Sequence, residues 1–145
     1  NATSGYNQRR DECAQACRLL GVPSLREATL EAAQGLPPPL DSRVRHVIEA
    51  NARVQQAVHA LRARDLERLG SLLDEGHASL RDLYEVSTPA VEATVARMKE
   101  AGAVGARVMG GGFGGHVLGL LRPRAQAPAG ALELRPGPGA RLTPQ

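Results

Sequence analysis

The sequence predicts an α+β domain, rich in helix and finished by one small antiparallel pair of strands. Three observations predict it. Apolar residues recur at helical spacing from Asn7 to about Gly102. The period then changes at Gly105, where two short strand-like segments follow. Between those segments sit five glycines in six residues, Gly110 to Gly115.

The 145 residues suit one domain, which at that size buries roughly two-thirds of its unfolded surface. Aromatic residues make up only 2%, with Phe113 the single Phe, so Leu, Val, Ile and Ala must build the core. That favours aliphatic stripes on helices over a sandwich of large rings. An apolar fraction of 42% and nearly balanced charge argue against disorder.

Each element has its own local reason. From about Asn7 to Leu20, Cys13, Ala16, Cys17 and Leu20 share a helical face, and Gly21 supplies a stop. Ser24-Leu25-Arg26-Glu27 reads as a capping box opening a second helix that runs to about Gln34. Gly35 and Pro37-Pro38-Pro39 end it, because proline brings no amide to the ladder. Asp41 or Ser42 starts the longest helix, through about Ala63, with Val44, Val47, Ile48, Val54, Val58 and Leu61 along one stripe. Asn51 sits inside that stripe, which calls for a hydrogen-bond partner or a role in setting helix register.

Asp65 caps a further helix that turns Leu66, Leu69, Leu72 and Leu73 inward. Thr88-Pro89 starts the next, with Val91, Val95 and Met98 on its apolar face and Gly102 after it. Ala103 to Met109 and His116 to Leu121 read as the two strands. From Arg122 onward Pro, Gly and Ala dominate, with one weak strand expected near Ala131 to Leu134. The domain is thus assigned to residues 1–121 and a Pro/Gly-rich segment to 122–145.

Composition also excludes. The net charge is +3, and 18 basic residues, almost all arginine, are spread from Arg9 to Arg141 among the acids. Solvated helix faces explain that pattern; nucleic-acid binding would need a concentrated basic patch with stacking rings, and three rings cannot supply it. No apolar run reaches the roughly 18–20 residues that span a bilayer, and no signal peptide opens the chain, so a cytoplasmic protein without nucleic-acid or membrane partners is expected. Cys13 and Cys17, four apart with no His at ligand spacing, suit buried apolar thiols better than a metal site. No metal ligand set is expected on this chain. Because it begins at Asn1 rather than Met, the chain is expected to be a piece of a larger protein.

The glycine run is the loudest local signal. Glycines reach positive φ, and successive amides can cradle an anion such as phosphate. A Walker loop would continue through Lys and Ser or Thr into a helix, and a dinucleotide loop also needs a helix after it. This one runs into His116 and an apolar strand, so by itself it fits a tight hairpin loop as well as a phosphate cradle.

Larger blocks give the context. Gly105-Ala106-Arg107-Val108-Met109-Gly110-Gly111-Gly112-Phe113-Gly114-Gly115-His116 resembles the third signature of the GHMP small-molecule kinases in its galactokinase form, G-x-R-M-T-G-G-G-F-G-G-C. His77 to Ser87 is similar to that family's H-x-S-L-R-D-x-Y-x-V-S, and Tyr6 to Cys13 to its Y-N-x-R-R-x-E-C. Ser24-Leu25-Arg26 and Arg45-His46-Val47, followed by Asn51 and Arg53, fall in family order. The resemblance spans about Tyr6 to Leu121.

It implies the C-terminal half of a kinase that uses ATP and Mg²⁺ to phosphorylate galactose at its anomeric hydroxyl. It also implies a small ferredoxin-like antiparallel sheet and an active site in the cleft between two halves. Tyr6 would be the sugar-contacting tyrosine, against the alternative of a half-buried phenol bonded to a backbone carbonyl. Gly110, Gly111, Gly112, Gly114 and Gly115 would shape the cleft floor near phosphates and sugar. Arg81, Asp82 and Glu85 resemble a structural ion-pair block, His77 a hydrogen-bonded residue at a helix end, and His116 a packing replacement for the usual Cys.

The departures count as well. Met109 stands where the family has threonine, removing a hydroxyl beside the loop. The closing segment is short for the family's last helix, which would leave part of the sheet uncovered and favour self-association. The family's first two signatures and its catalytic Asp and Arg belong to an N-terminal half that these residues do not include, and most ATP and Mg²⁺ contacts go with them. No catalytic residue is therefore expected here, and the chain by itself is expected to be inactive. The alternatives are a non-catalytic, galactokinase-like sugar-binding or regulatory module and a decayed gene product.

Overall fold

A computed structural model describes residues 2–135 and 137. Five helices come first: α1 (Ala2–Leu20), α2 (Leu30–Gln34), α3 (Leu40–Ala63), α4 (Leu66–Asp82) and α5 (Pro89–Glu100). Strands β1 (Gly105–Val108) and β2 (Val117–Leu120) follow and pair antiparallel, Ala106 opposite Gly119 and Val108 opposite Val117. The expected α+β class is what forms: a helix-rich domain carrying a two-strand sheet.

The caps explain most boundaries. Asp65 accepts from the Arg68 amide at 2.9 Å, and Thr88 from Val91 at 3.4 Å just before Pro89. The second helix departs from expectation. Ser24 caps only a 3₁₀ turn, Leu25–Glu27, and Ala28 turns extended. Thr29 then caps α2 with its hydroxyl 3.1 Å from the Ala32 amide. A β-branched hydroxyl residue in extended backbone is a ready N-cap, and it restarts the helix where the capping box fails to propagate.

Two apolar clusters hold the domain. Ala16, Leu25, Ala33, Leu36, Leu40 and Val44 join α1, α2 and the front of α3. Leu80, Val86, Val91 and Val108 join α4, α5 and β1. A fully buried Val or Leu contributes about 1.5–3 kcal/mol, so each cluster rests on a few aliphatic side chains. The expected stripe on α3 is only half right. Val44 is fully buried, whereas Val54 and Leu61 are more than half exposed because α1 and α2 do not reach them. Asn51, half-buried, makes no side-chain hydrogen bond among the described residues.

The sheet is seated by helix α4 at its edge. The outward amide of Ala106 donates to Asp74 Oδ1 at 2.8 Å, and that of Val108 to His77 Nδ1 at 3.4 Å. Asp74 and His77 are three apart and face the same way on α4, so they stand in for the acceptors of a neighbouring strand. Lys99 of α5 completes the corner, bonding Asp74 at 2.6 Å and the Val104 carbonyl at 3.0 Å. Only glycine permits the approach, since a Cβ on Gly105 would lie 2.1 Å from the Gly70 carbonyl oxygen.

The strand expected near Ala131 to Leu134 does not form. Leu132 and Leu134 are exposed, and nearby Pro128 to Ala131 instead run along α5, where Ala129 accepts from Arg97. Proline and glycine on both sides leave too short a run to pair.

Candidate functional site

Tyr6 projects from the first turns of α1 and is about half exposed. Its ring meets the glycine loop: a Cβ on Gly111 would lie 3.1 Å from Tyr6 Cδ2. The neighbouring residue Gly5 meets Phe113, whose ring would be 2.6 Å from a Cβ there. The sequence-predicted tyrosine and glycines, about a hundred positions apart, are therefore brought together.

The loop has an unusual backbone. Gly110, Gly112, Gly114, Gly115 and Phe113 all have positive φ. Gly112 could carry no side chain for a second reason, because its Cβ would fall 2.3 Å from Val86 Cβ. The loop is pinned at two points: Met109 donates to the His116 carbonyl at 2.8 Å, and Phe113 donates to the Val86 carbonyl at 2.6 Å. Among the described residues the five glycine amides donate no backbone hydrogen bond, and no atom crowds the Cβ positions of Gly110 or Gly114. Amides left free in a positive-φ loop can hold an anion's oxygens. Met109, half exposed beside them, brings a thioether and no hydroxyl.

An ion network centred on a buried arginine begins one turn along α1 from Tyr6, at Arg9. Arg43 of α3 is 1% exposed. It donates through Nε to Glu12 at 2.7 Å, through Nη1 to the Leu83 carbonyl at 2.5 Å and through Nη2 to Glu85 at 2.6 Å. Arg9 also holds Glu12, at 2.5 Å. Burial alone would raise the Glu12 carboxyl, but Arg43 and Arg9 hold it below the ordinary carboxylate range. Burial likewise works against the charge on Arg43, and Glu12 and Glu85 outweigh it.

The expected block of Arg81, Asp82 and Glu85 is thus divided. Arg81 pairs with Asp82 at 2.7 Å on the surface, while Glu85, itself largely exposed, pairs at 2.6 Å with the buried Arg43. His77 is not at a helix end but within α4, buried, with Nε2 2.9 Å from Glu92 and Nδ1 facing β1. Glu92 is held below its usual range despite burial, by the Ser87 hydroxyl at 2.5 Å and by His77. His77 is therefore committed to the scaffold. His116 is exposed, and only its carbonyl serves the loop.

Cys13 and Cys17 are free and half-buried. Cys13 Sγ lies 3.4 Å from the Tyr84 hydroxyl, and burial pushes the Cys13 thiol up. Tyr84 in turn stacks on His46, ring centres 4.5 Å apart.

Sequence reasoning overlooked Arg43. The available signal was its place between Leu40 and Val44, an arginine on the face that must be buried.

Among the described residues no three His, Cys, Asp or Glu side chains gather to hold a metal ion, and no helix is long and apolar enough to cross a membrane. Two surface grooves, one between α2 and α3 and one between α5 and residues 128–131, contain neither Tyr6 nor the loop. Tyr6 and the glycines form an open floor rather than an enclosed pocket.

Comparison with known proteins gives the family of the chain. Residues 57–137 match the model of the GHMP kinases C-terminal region. The chain belongs to the GHMP kinase family and is its C-terminal domain. Galactokinases are similar over more of the chain. That of Thermotoga neapolitana is 47% identical over 125 residues, covering 86% of this chain and 36% of the relative. That of Thermotoga maritima is 44% identical over the same shares. The crystal structure of Lactococcus lactis galactokinase complexed with galactose superposes with a TM-score of 0.75 at 34% identity, covering 81% of this chain and 33% of that one. This GHMP domain therefore spans about a third of the length of the galactokinases it matches.

Proposed function

We propose that the chain is the C-terminal half of a galactokinase, forming one wall of a cleft in which ATP phosphorylates galactose at its anomeric hydroxyl. The observation that carries this reading is the packing of the Tyr6 ring on Gly111, which sets a phenol beside a loop of free amides. A phenol offers a sugar one donor, one acceptor and an apolar face. Gly110, Gly112, Gly114 and Gly115 would turn their amides to phosphate oxygens, and ATP when bound supplies the phosphoryl group. Among the described residues no cluster of three His, Cys, Asp or Glu side chains could hold Mg²⁺.

Phosphoryl transfer depends on positioning and charge stabilisation from both sides of the transferred group. One wall supplies too little of either, so the chain alone should be inactive. The test is galactose-dependent release of ADP, measured for the chain alone and for the chain joined behind the N-terminal remainder of the Thermotoga neapolitana enzyme. We expect no turnover alone and turnover when joined. Turnover by the chain alone would refute the need for a second wall. In the joined protein, Tyr6→Phe should raise the galactose KM about tenfold, the equivalent of one lost hydrogen bond of about 1.4 kcal/mol, and leave the ATP KM in place.

Met109 favours a second reading, a non-catalytic sugar-binding or regulatory module, because the loop lacks the family's hydroxyl. Binding of galactose and ATP without turnover in the joined protein would select it.

A further inference from the structure

The contacts around Tyr6 close into a ring. Tyr6 touches Gly111, and Gly5 touches Phe113. Phe113 is bonded to the Val86 carbonyl, and Gly112 is pressed on the Val86 side chain. Val86 follows Glu85, which with the Leu83 carbonyl is held by Arg43. Arg43 returns to α1 through Glu12, which Arg9 also holds one turn beyond Tyr6. Arg43 makes three bonds in this ring, to Glu12 of α1 and to Leu83 and Glu85 in the segment that anchors the loop, and the Cys13–Tyr84 contact at 3.4 Å and the Arg9–Glu85 pair at 3.8 Å run beside it.

We infer that Arg43 is a positioning residue that fixes Tyr6 against the glycine loop, and so sets sugar recognition without touching the sugar. The inference rests on the galactokinase reading. A planar guanidinium suits the task because its donors leave in fixed directions, and three are used here on three acceptors. Lysine keeps the charge but cannot hold the three acceptors in one plane. Glu85 has a left-handed backbone, φ 53°, an orientation rarely adopted without glycine, and it delivers its carboxylate to Arg43. The strained turn and the buried cation therefore support each other.

The test uses Arg43→Lys and Glu85→Gln. The Glu85 side chain is 59% exposed, so the second variant keeps the fold even if the first loses it. In the 145-residue chain, proton NMR should show cross-relaxation between the Tyr6 ring and Gly111, and between the Phe113 ring and Gly5. Both signals should disappear in Arg43→Lys and weaken in Glu85→Gln, while the Ala106 and Val108 amide shifts on the α4 side stay in place. In the joined enzyme, Glu85→Gln should raise the galactose KM on the order of tenfold, as small misplacements do, with the ATP KM unmoved. Cross-peaks of unchanged intensity in Glu85→Gln, or equal changes in the two KM values, overturn the inference. If the unaltered joined enzyme fails to turn over galactose, the functional reading fails and the cross-peaks still decide the positioning role.

Discussion

The apolar stripe of α3 keeps one periodicity along both halves of the helix and meets opposite surroundings in each. In the first half Leu40, Arg43 and Val44 are buried under α1, α2 and the loop after α4. In the second half Val54 and Leu61 extend the same apolar stripe into solvent. Spacing states which face of a helix is apolar, and its neighbours decide whether that face is covered. The covered half even accommodates a charge, because Glu12, Glu85 and a carbonyl surround Arg43. An arginine can thus be deeper than a valine on the same helix.

The contrast can be broken at several places. The largest effect belongs to Arg43→Met, which leaves the nearly buried Glu12 carboxylate to Arg9 and Gln8 and takes the guanidinium from the Leu83 carbonyl and Glu85. Removing one partner of such a pair costs about 3–5 kcal/mol, and urea unfolding of the variant should show it. A loss below about 1 kcal/mol, the scale of a surface ion pair, would mean that water already screens the network. Val44→Ala should follow at about 2 kcal/mol, from two lost methyl groups and the cavity they leave.

A pH effect on the same half comes next. Burial, together with the Arg53 and Arg107 charges, pushes His46 down from 6.5 to about 4. Below pH 6.5 the unfolded chain takes up a proton that the folded ring refuses until about pH 4. Stability should fall as pH drops through that window and level off beneath it. Partial solvation of the ring reduces the size of the effect. The melting temperature of His46→Gln, subtracted from that of the unaltered chain between pH 7 and pH 4, isolates this contribution; a flat difference would refute it. The smallest effect belongs to the uncovered end of the stripe. Val54→Ser and Leu61→Gln should each stay within about 0.5 kcal/mol. A much larger loss by calorimetry would show that something covers the stripe in solution.

These contrasts mark how far sequence could be read. Helix order, the Asp65 and Thr88 caps, the hairpin and its glycine loop were legible because local chemistry sets them. Tyr6 and the glycines were legible as family residues, but their contact was not, since it depends on how α1 crosses the hairpin. Thr29 displaced Ser24 as the cap of α2, a competition between two adequate signals. Val54 and Leu61 misled because no pattern within a helix reports where its neighbours end. Arg43 escaped, and Glu85 was legible as an ion-pair residue but not its partner, for the same reason: Glu12 and Glu85 lie 31 and 42 positions from Arg43. Ala131 to Leu134 resembled a strand by composition but lacked a neighbour to pair with.

Asp74 and His77, by occupying the outward amides of β1, also give the sheet a direction of growth. On β2 the alternation of antiparallel pairing turns the amides of Val117 and Gly119 away from β1, and neither makes a backbone bond among the described residues. One margin is sealed by side chains and the other is a free template. A strand arriving from elsewhere in the polypeptide, or from a second molecule, has a single side on which to dock, and it must enter beside Val117 to Leu120.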